Sequence, residues 1–565
     1  MADKFSTTRY NTAPTIKHPR TRFDLSHDIL TTCNNGEFVP ILTEFINPGE
    51  TVELKFSSLT RLETSLHQTM DNAFVEFAFF FTPLRILWTD FEKFEGANDD
   101  PWTQENEYLI PQILLGASSG SVFDSYNVSP GSLLNHLMLP VGSYGSSAGC
   151  ISVEQLSLRG VFEVYNQWYR NENYDSIVYY SKASGNKELD ATFLFNGSYF
   201  RPAQNILQVN RFHDRFSTLL PAPQKGQAVT LSLGNTAPLI RLDQSGQDFV
   251  TFGTHSSISV GANIVAHDGV TGSSNPAPLS FGTMGAGSPN SKIGINTEKF
   301  AADLSAATAV TVNQLRLAIV RQAMLERDAR AGTRYHEIIN SRWDVYAKSL
   351  ELDRPELLGG KRIPLSMMEV LQTSETGTTV LGSDAGHSKT IDSSDAFVKS
   401  FTQHGVLQGF MYMRTSRSYS QGIDRMHFIK DYLDMPDPML DKTGETACYR
   451  KEMYALKTDS AANLAKADEV AGFQEQYYWI KERINRFSGY FQSGITGTLD
   501  SWHYGDDYSD YPLISAGWMK EAASNVDRTI AVSSNAAFQY SVNIHFEFFV
   551  TRPFAKYSIP NTFGF

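Results

Sequence analysis

The feature that most constrains this chain is a strict alternation near its C-terminal end. Phe538, Tyr540, Val542, Ile544, Phe546 and Phe548 interleave with Gln539, Ser541, Asn543, His545 and Glu547. Successive side chains of a strand point to opposite faces, so a period of two sets one face in a core and the other in water. The other end of the chain reads the same way, with Val52, Leu54 and Phe56 alternating with Glu53, Lys55 and Ser57. Pro48-Gly49 just before them suits a type II turn, because Pro fixes φ and Gly accepts a positive φ. A third run, Val75, Phe77, Phe79 and Phe81, is apolar on its opposite face as well, through Phe74, Ala78 and Phe80. That is the pattern of a strand covered on both sides. Strands at both ends with long excursions between them predict a mainly β fold, a two-sheet jelly roll with large insertions.

Two helices are expected within those insertions. One covers 152–170 and follows Ser152-Val153-Glu154-Gln155. Leu158, Phe162, Tyr165, Trp168 and Tyr169 form its apolar stripe, and Arg159, Glu163, Asn166 and Arg170 lie largely opposite. The other covers 311–331. Thr311 and Gln314 form a capping box, and Leu315, Ile319, Ala323 and Met324 make a stripe. Glu326 and Arg330 are spaced to pair at i,i+4, and Gly332 stands where a C-cap belongs. Both stripes are read as core packing. Between Phe249 and Ser291 the composition changes: Asp268 is the sole charged residue, Gly, Ser, Thr, Ala and Asn dominate, and Pro276, Pro278 and Pro289 act as breakers. Such a segment is either an ordinary surface loop or a recognition loop carried on a rigid scaffold.

Composition excludes some classes. Hydrophobic content of 41% supports a large core and argues against disorder. The net charge of -13 argues against broad nonspecific nucleic-acid binding, but the charge is uneven. Residues 1–22 hold Lys4, Arg9, Lys17, Arg20 and Arg22 against Asp3, a net of +4, which leaves -17 for the remainder. Cys33, Cys150 and Cys448 show neither metal-ligand nor disulfide spacing, as expected for a chain made in reducing cytoplasm. No signal-peptide pattern opens the sequence, and the apolar run Ala73 to Trp88 is interrupted by Glu76, Pro83 and Arg85, so no membrane span is expected.

Catalytic signals are weak. Gly116-Ala117-Ser118-Ser119-Gly120 and Gly145-Ser146-Ser147-Ala148-Gly149 fit a nucleophile-elbow string, but both lie in Gly/Ser-rich loops without the strand and helix an elbow needs. His336-Glu337 opens like a zinc-protease motif, but Asn340 stands at the second His position. Asp500, Asp506, Asp507 and Asp510 cluster among Trp502, Tyr504, Tyr508 and Tyr511. A solvated acidic loop is the favoured reading, with a cation site or a carbohydrate site as alternatives. The basic arm, residues 1–35, brings Lys17, His18, Arg20 and Arg22 near Tyr10 and Phe23. It is either a solvated terminus or a contact for single-stranded DNA, combining phosphate neutralisation with base stacking. Arg327, Arg330 and Arg334 form a second, weaker set.

One stretch settles the class. Ala329-Arg330-Ala331-Gly332-Thr333-Arg334-Tyr335, then Arg354-Pro355-Glu356-Leu357-Leu358-Gly359-Gly360, then Gln372-Thr373-Ser374 closely resemble the major capsid proteins of the microviruses, in particular the gokushovirus branch. Further landmarks keep the family's order: Asn47-Pro48-Gly49-Glu50, Phe81-Thr82-Pro83-Leu84-Arg85, Tyr165 to Glu172, Leu219 to Gly226, Gly472 to Glu475 and Leu499 to His503. The resemblance implies an eight-stranded antiparallel jelly-roll domain over 36–565 and no enzymatic activity or cofactor. It implies self-assembly into a T=1 icosahedral shell of on the order of 60 copies around circular single-stranded DNA. It also implies a protrusion over 225–297, with His255, Asn263, His267, Asp268, Asn275 and Asn290 as receptor-facing candidates. A small basic DNA-packaging protein, a DNA pilot protein, an internal scaffolding protein and a bacterial surface receptor are the implied partners. The virion is the implied location, after assembly in host cytoplasm. A soluble jelly-roll carbohydrate-binding protein or glycosidase is the competing class.

Overall fold

A computed structural model of the chain describes residues 19–97, 108–115, 127–142, 151–182, 193–230, 239–241, 250–254, 291–295, 300–302, 311–371, 373, 377, 381–382, 384–457, 460–531 and 538–557. It divides into two compact units, one made of Met1–Lys225 with Glu326–Phe565, the other of Gly226–Leu325.

The first unit is built on nine strands: β1 (Thr21–Asp24), β2 (His27–Cys33), β3 (Val39–Ile46), β4 (Thr51–Leu62), β5 (Ala73–Pro83), β6 (Glu356–Pro364), β7 (Thr390–Ser400), β8 (Gly405–Thr415) and β9 (Tyr540–Arg552). In one sheet β1 and β2 lie end to end along β9, followed by β4 and β7. In the other the order is β6, β5, β8, β3. All these pairings are antiparallel. The expected arm therefore enters a sheet at Thr21.

The alternation read from sequence decides which faces meet. Val52, Leu54 and Phe56 of β4 and Val542, Ile544, Phe546 and Phe548 of β9 are buried in one core with Val75, Phe77, Phe79 and Phe81 of β5. Phe538, expected to open the stripe, lies before the strand and is partly exposed. Pro48-Gly49 makes the expected turn: Gly49 has φ of +83° and Glu50 N–H donates to Asn47 O at 3.2 Å.

The back of β5 is covered too. Ala78 and Phe80, with Phe410 and Tyr412 of β8, form a second core with Leu158, Val161, Phe162 and Tyr165. These belong to α1 (Leu156–Val164) and the π-helical turn Tyr165–Tyr169 that extends it. Gly160 lets α1 settle onto the sheet, since a Cβ there would stand 2.5 Å from Gln408 Oε1. The helical segment is thus shorter than 152–170, because Ile151–Glu154 is a strand. Its polar side is also not in water: Arg159, Glu163 and Asn166 are buried. Arg159 donates to Gln155 and to Leu87 O, and Asn166 exchanges two hydrogen bonds with Val178. The segment 176–182 folds over a face that periodicity alone assigned to solvent.

The second helix, α2 (Val312–Ala331), is capped as expected. Gln314 N–H donates to Thr311 Oγ1 at 3.2 Å, Thr311 N–H donates to Gln314 Oε1 at 3.0 Å, and Gly332 has φ of +102°. Two expectations fail. Leu315, Ile319 and Met324 are exposed rather than core, and Arg330 pairs with Glu445 and Glu475. In the second unit Leu239–Arg241 pairs with Phe300–Ala302 and Val250–Thr254 with Ser291–Ile295, two antiparallel strand pairs of which only Phe300–Ala302 falls outside the 225–297 span expected to be loop.

Candidate nucleic-acid and subunit-contact surfaces

Of the basic arm, Lys17 and His18 lie outside the described residues. Arg20 donates to the Gly49 carbonyl. Arg22 pairs with Glu53 at 2.9 Å and lies over the Phe549 ring at 4.2 Å. Arg22 keeps 56% of its side-chain surface in solvent.

The second basic set has three different environments. Arg327 is exposed. Arg330 is half-exposed and bridges Glu445 and Glu475. Arg334 is engaged inside the insertions: it pairs with Glu172 at 2.5 Å and Glu337 at 3.0 Å and donates to the carbonyls of Asn166 and Arg170. Thr333 N–H also donates to Glu172 at 2.5 Å. Burial and the neighbouring Glu172 raise the Glu337 carboxyl, whereas hydrogen bonds and Arg334 hold Glu172 down against burial. This is a clasp that fixes the corner before α3 (Tyr335–Trp343) onto the C-terminal end of the α1 segment. At His336, burial, then Arg354 and Arg334, bring the pKa down to about 4.

The string Arg354 to Gly360 serves the same junction. The Arg354 guanidinium stacks on Trp168 at 3.9 Å, and Trp168 Nε1 donates to Pro355 O at 3.0 Å. Gly359 and Gly360 then run where the strands come too close for side chains. A Cβ on Gly359 would lie 2.4 Å from Ala396 O, and one on Gly360 2.6 Å from Phe77 O.

At Asp506 the acidic cluster at 500–510 departs from the favoured reading. Asp506 is buried, not solvated. It receives Arg211 at 2.6 Å, Arg417 at 3.1 Å, Asn525 at 2.7 Å and the Tyr508 hydroxyl at 2.8 Å. Desolvation would raise its pKa, but Arg211 and Arg417 hold it well below the carboxylate range. Asp510 is held by Lys466 and Lys457, Asp507 accepts from Gln421, and Asp500 accepts from Ser493. Tyr504 and Tyr511 are buried. Cations thus match Asp506 and Asp510, whereas Asp500 and Asp507 accept from neutral side chains and Asp507 is exposed. No group of three or more metal-ligating side chains occurs among the described residues.

Sequence reasoning missed the buried arginines. Arg211, Arg215 and Arg417 sit in interior ion pairs with Asp506, Glu452 and Glu521, and Arg362 and Arg414 share Glu76 while flanking the Phe212 ring. The only available signal was arginine inside aromatic-rich segments. Cys33 and Cys448 are buried free thiols whose pKa burial pushes up. Cys150, both Gly-x-Ser-x-Gly strings and His255, Asn263, His267, Asp268, Asn275 and Asn290 lie outside the described residues. Among the described residues no helix is long and apolar enough to cross a membrane.

Comparison with known proteins adds the context. The sequence profile of the family described as "Capsid protein (F protein)" matches residues 11–562. The chain is 31% identical over 562 residues to "Capsid protein VP1" of Bdellovibrio phage phiMH2K, covering 98% of this chain and 97% of that protein. It is 31% identical to "Capsid protein VP1" of Spiroplasma virus 4, over 96% and 95% of the two chains. It is 28% identical to "Capsid protein VP1" of Chlamydia phage 1, over 98% and 97%.

Proposed function

Because the chain belongs to the capsid protein (F protein) family and is a microvirus major capsid protein, not an enzyme, we propose that it closes into a T=1 icosahedral shell of about 60 copies around circular single-stranded DNA. The observation that carries this reading is the family match from residue 11 to residue 562. Membership makes the virion its location and self-association with the genome its business. Assembly in host cytoplasm is part of the proposal.

We read the two sheets as an eight-stranded jelly roll. Counting β1 and β2 as one interrupted strand, the sheets hold strands one, eight, three, six and five, four, seven, two in chain order. Each sheet thus mixes early and late strands, as a doubly wound Greek key requires.

The genome contact is assigned to the arm through Lys17, His18, Arg20 and Arg22, with Arg327 the most accessible member of the second set. Arg330 and Arg334 already hold carboxylates and would serve DNA only by sharing. The proposed protrusion over 225–297 carries host attachment through His255, Asn263, His267, Asp268, Asn275 and Asn290. The single domain over 36–565, the small basic packaging protein, the DNA pilot protein, the internal scaffolding protein and the bacterial receptor complete the proposal.

Negative-stain microscopy and analytical ultracentrifugation of the protein expressed with the other structural proteins of its genome test the shell. Uniform icosahedral particles are expected; a stable monomer or dimer under every assembly condition would overturn it. Neutralising Lys17, Arg20 and Arg22 should flatten the salt dependence of single-stranded DNA binding by about 0.7 log–log units per lost contact. An unchanged slope removes the arm from the interface.

A further inference from the structure

The first turns of α2 leave six apolar side chains in solvent. Val312, Leu315, Leu317, Ile319, Val320 and Met324 keep 63, 44, 68, 60, 65 and 41% of their surface exposed. At 3.6 residues per turn these side chains fall in two stripes. Val312, Leu315 and Ile319 make one, Leu317, Val320 and Met324 the other, each at i, i+3, i+7, with centres about 140° apart around the axis. Arg316 lies between them on the narrower arc, and Arg321 beyond the second stripe.

A helix of this kind does not hold itself in water. Isolated helices of about a dozen residues are marginal, and in proteins most helical stability comes from packing an apolar face. Ion pairs hold its far end: Arg330 to Glu445, Asp328 to Arg342, and the clasp at Arg334. At roughly 100 Å² for each exposed side chain, the two stripes present about 600 Å² of apolar surface. Each stripe supplies about 300 Å² of that, under half of the ~800 Å² per partner of a specific interface, so the helix is one part of a larger copy-to-copy contact.

The placement of the stripes says how many partners are needed. An ordinary helix face is about 100° wide, so one partner covers one stripe and leaves the other wet. Identical copies solve this when the first stripe of each meets the second stripe of the next. Such a heterologous contact, repeated about a rotation axis, closes into a ring. We propose that α2 packs between the α2 helices of two neighbouring copies, Val312, Leu315 and Ile319 of one against Leu317, Val320 and Met324 of the next. This rests on the shell reading above and adds to it a specific copy-to-copy contact. Arg316 of every copy then faces the axis, where the ring would hold anions.

Two substitutions test it, one per stripe: Ile319→Asp and Leu317→Asp. Both side chains are mostly exposed in the subunit, so its melting temperature should stay within about 2 °C of the parent. Each variant alone should lose association in sedimentation velocity, by at least 100-fold in dissociation constant. Mixed, they should form a dimer that does not grow, because one intact stripe remains on each partner and together they make one good contact. Assembly of either variant at parental concentration, no dimer on mixing, or a large drop in melting temperature would overturn the contact while leaving the shell reading intact. A parent chain that itself never assembles with its structural partners would overturn the shell reading, and this contact with it.

Discussion

Replacing Arg417 by Met should be among the costliest single changes in this protein, and the structure says why. Its guanidinium donates to Asp506 at 3.1 Å and to Glu521 at 2.6 Å, and the three side chains are 4, 4 and 0% exposed. Asp506 would keep Arg211 at 2.6 Å after the change. Glu521 would keep neutral donors, the Asn35 amide at 3.1 Å, the Thr415 hydroxyl at 2.6 Å and the Thr415 backbone N–H at 3.3 Å. Arg417→Met therefore leaves a buried carboxylate without its guanidinium, which costs about 3–5 kcal/mol. Arg211→Met removes one of two cations from Asp506 and should cost less, about 1.5–3 kcal/mol, the range of a hydrogen bond to a charged group. Urea midpoints of the purified subunit, converted with a common m-value, measure both. Adding Glu521→Gln to Arg417→Met should recover part of the loss, because the uncompensated charge disappears. If Arg417→Met costs under about 1 kcal/mol, or the double variant is less stable than the single, the argument from a stranded charge is wrong.

Further outcomes follow from the same structure. The Asp506 carboxyl is held below its unfolded value, so its contribution is present above about pH 4 and lost as pH falls below it; acid titration of urea stability should show this slope, and Asp506→Asn should remove its share. Gly359→Ala puts a Cβ 2.4 Å from the Ala396 carbonyl, a backbone atom that cannot swing aside, and should cost about 1–3 kcal/mol by overpacking. Gly517→Ala, in a short helix with nothing within 4 Å, should instead gain about 0.4–1 kcal/mol, and equal effects at both sites by thermal melts would refute the steric reasoning. Cys33 and Cys448 are buried with raised thiol pKa values, so iodoacetamide should label them only at the rate of unfolding, and rapid labelling of the native subunit would contradict their placement.

What the sequence disclosed follows from the range of the forces involved. β4, β5 and β9 are legible because period two is a local property and each face is decided by residues two apart. The covered back of β5 is legible for the same reason: Phe74, Ala78 and Phe80 are written into the strand. The buried polar side of α1 was not, because Asn166 and Glu163 are satisfied by Val178 and Tyr180, residues no periodicity links to the helix. Asp506 shows the same limit over a longer reach. Its arginines are 295 and 89 residues away in the chain, so four nearby acidic residues read as solvated when one is a buried hub. The α2 stripe was legible as apolar and misplaced as core, since a sequence does not say whether an apolar face is covered by its own chain. The family string at Thr333-Arg334 was conspicuous, but its reason, a clasp onto Glu172, appears only once Thr333 and Glu172, 161 positions apart in the chain, are seen together.

The ion pairs also bear on how an acidic shell holds DNA. Arg211, Arg215, Arg334, Arg417 and Lys520 all stand within 4 Å of carboxylates that burial would not tolerate alone. These cations stabilise the fold and leave little positive charge for phosphate, while residues 23–565 carry a net -17. The +4 of residues 1–22 is then the main basic segment that each copy contributes, and it is small beside a genome. Counterion release scales with the number of phosphates contacted, so an arm with a few contacts binds steeply less well as salt rises and holds little at physiological strength by itself. Packaging by this chain therefore calls for added basic charge, and the proposed small basic protein supplies it by the same electrostatics. Shells assembled without that protein should release single-stranded DNA at lower salt than complete ones, and equal release midpoints in a filter-binding titration would mean that the coat alone carries the genome.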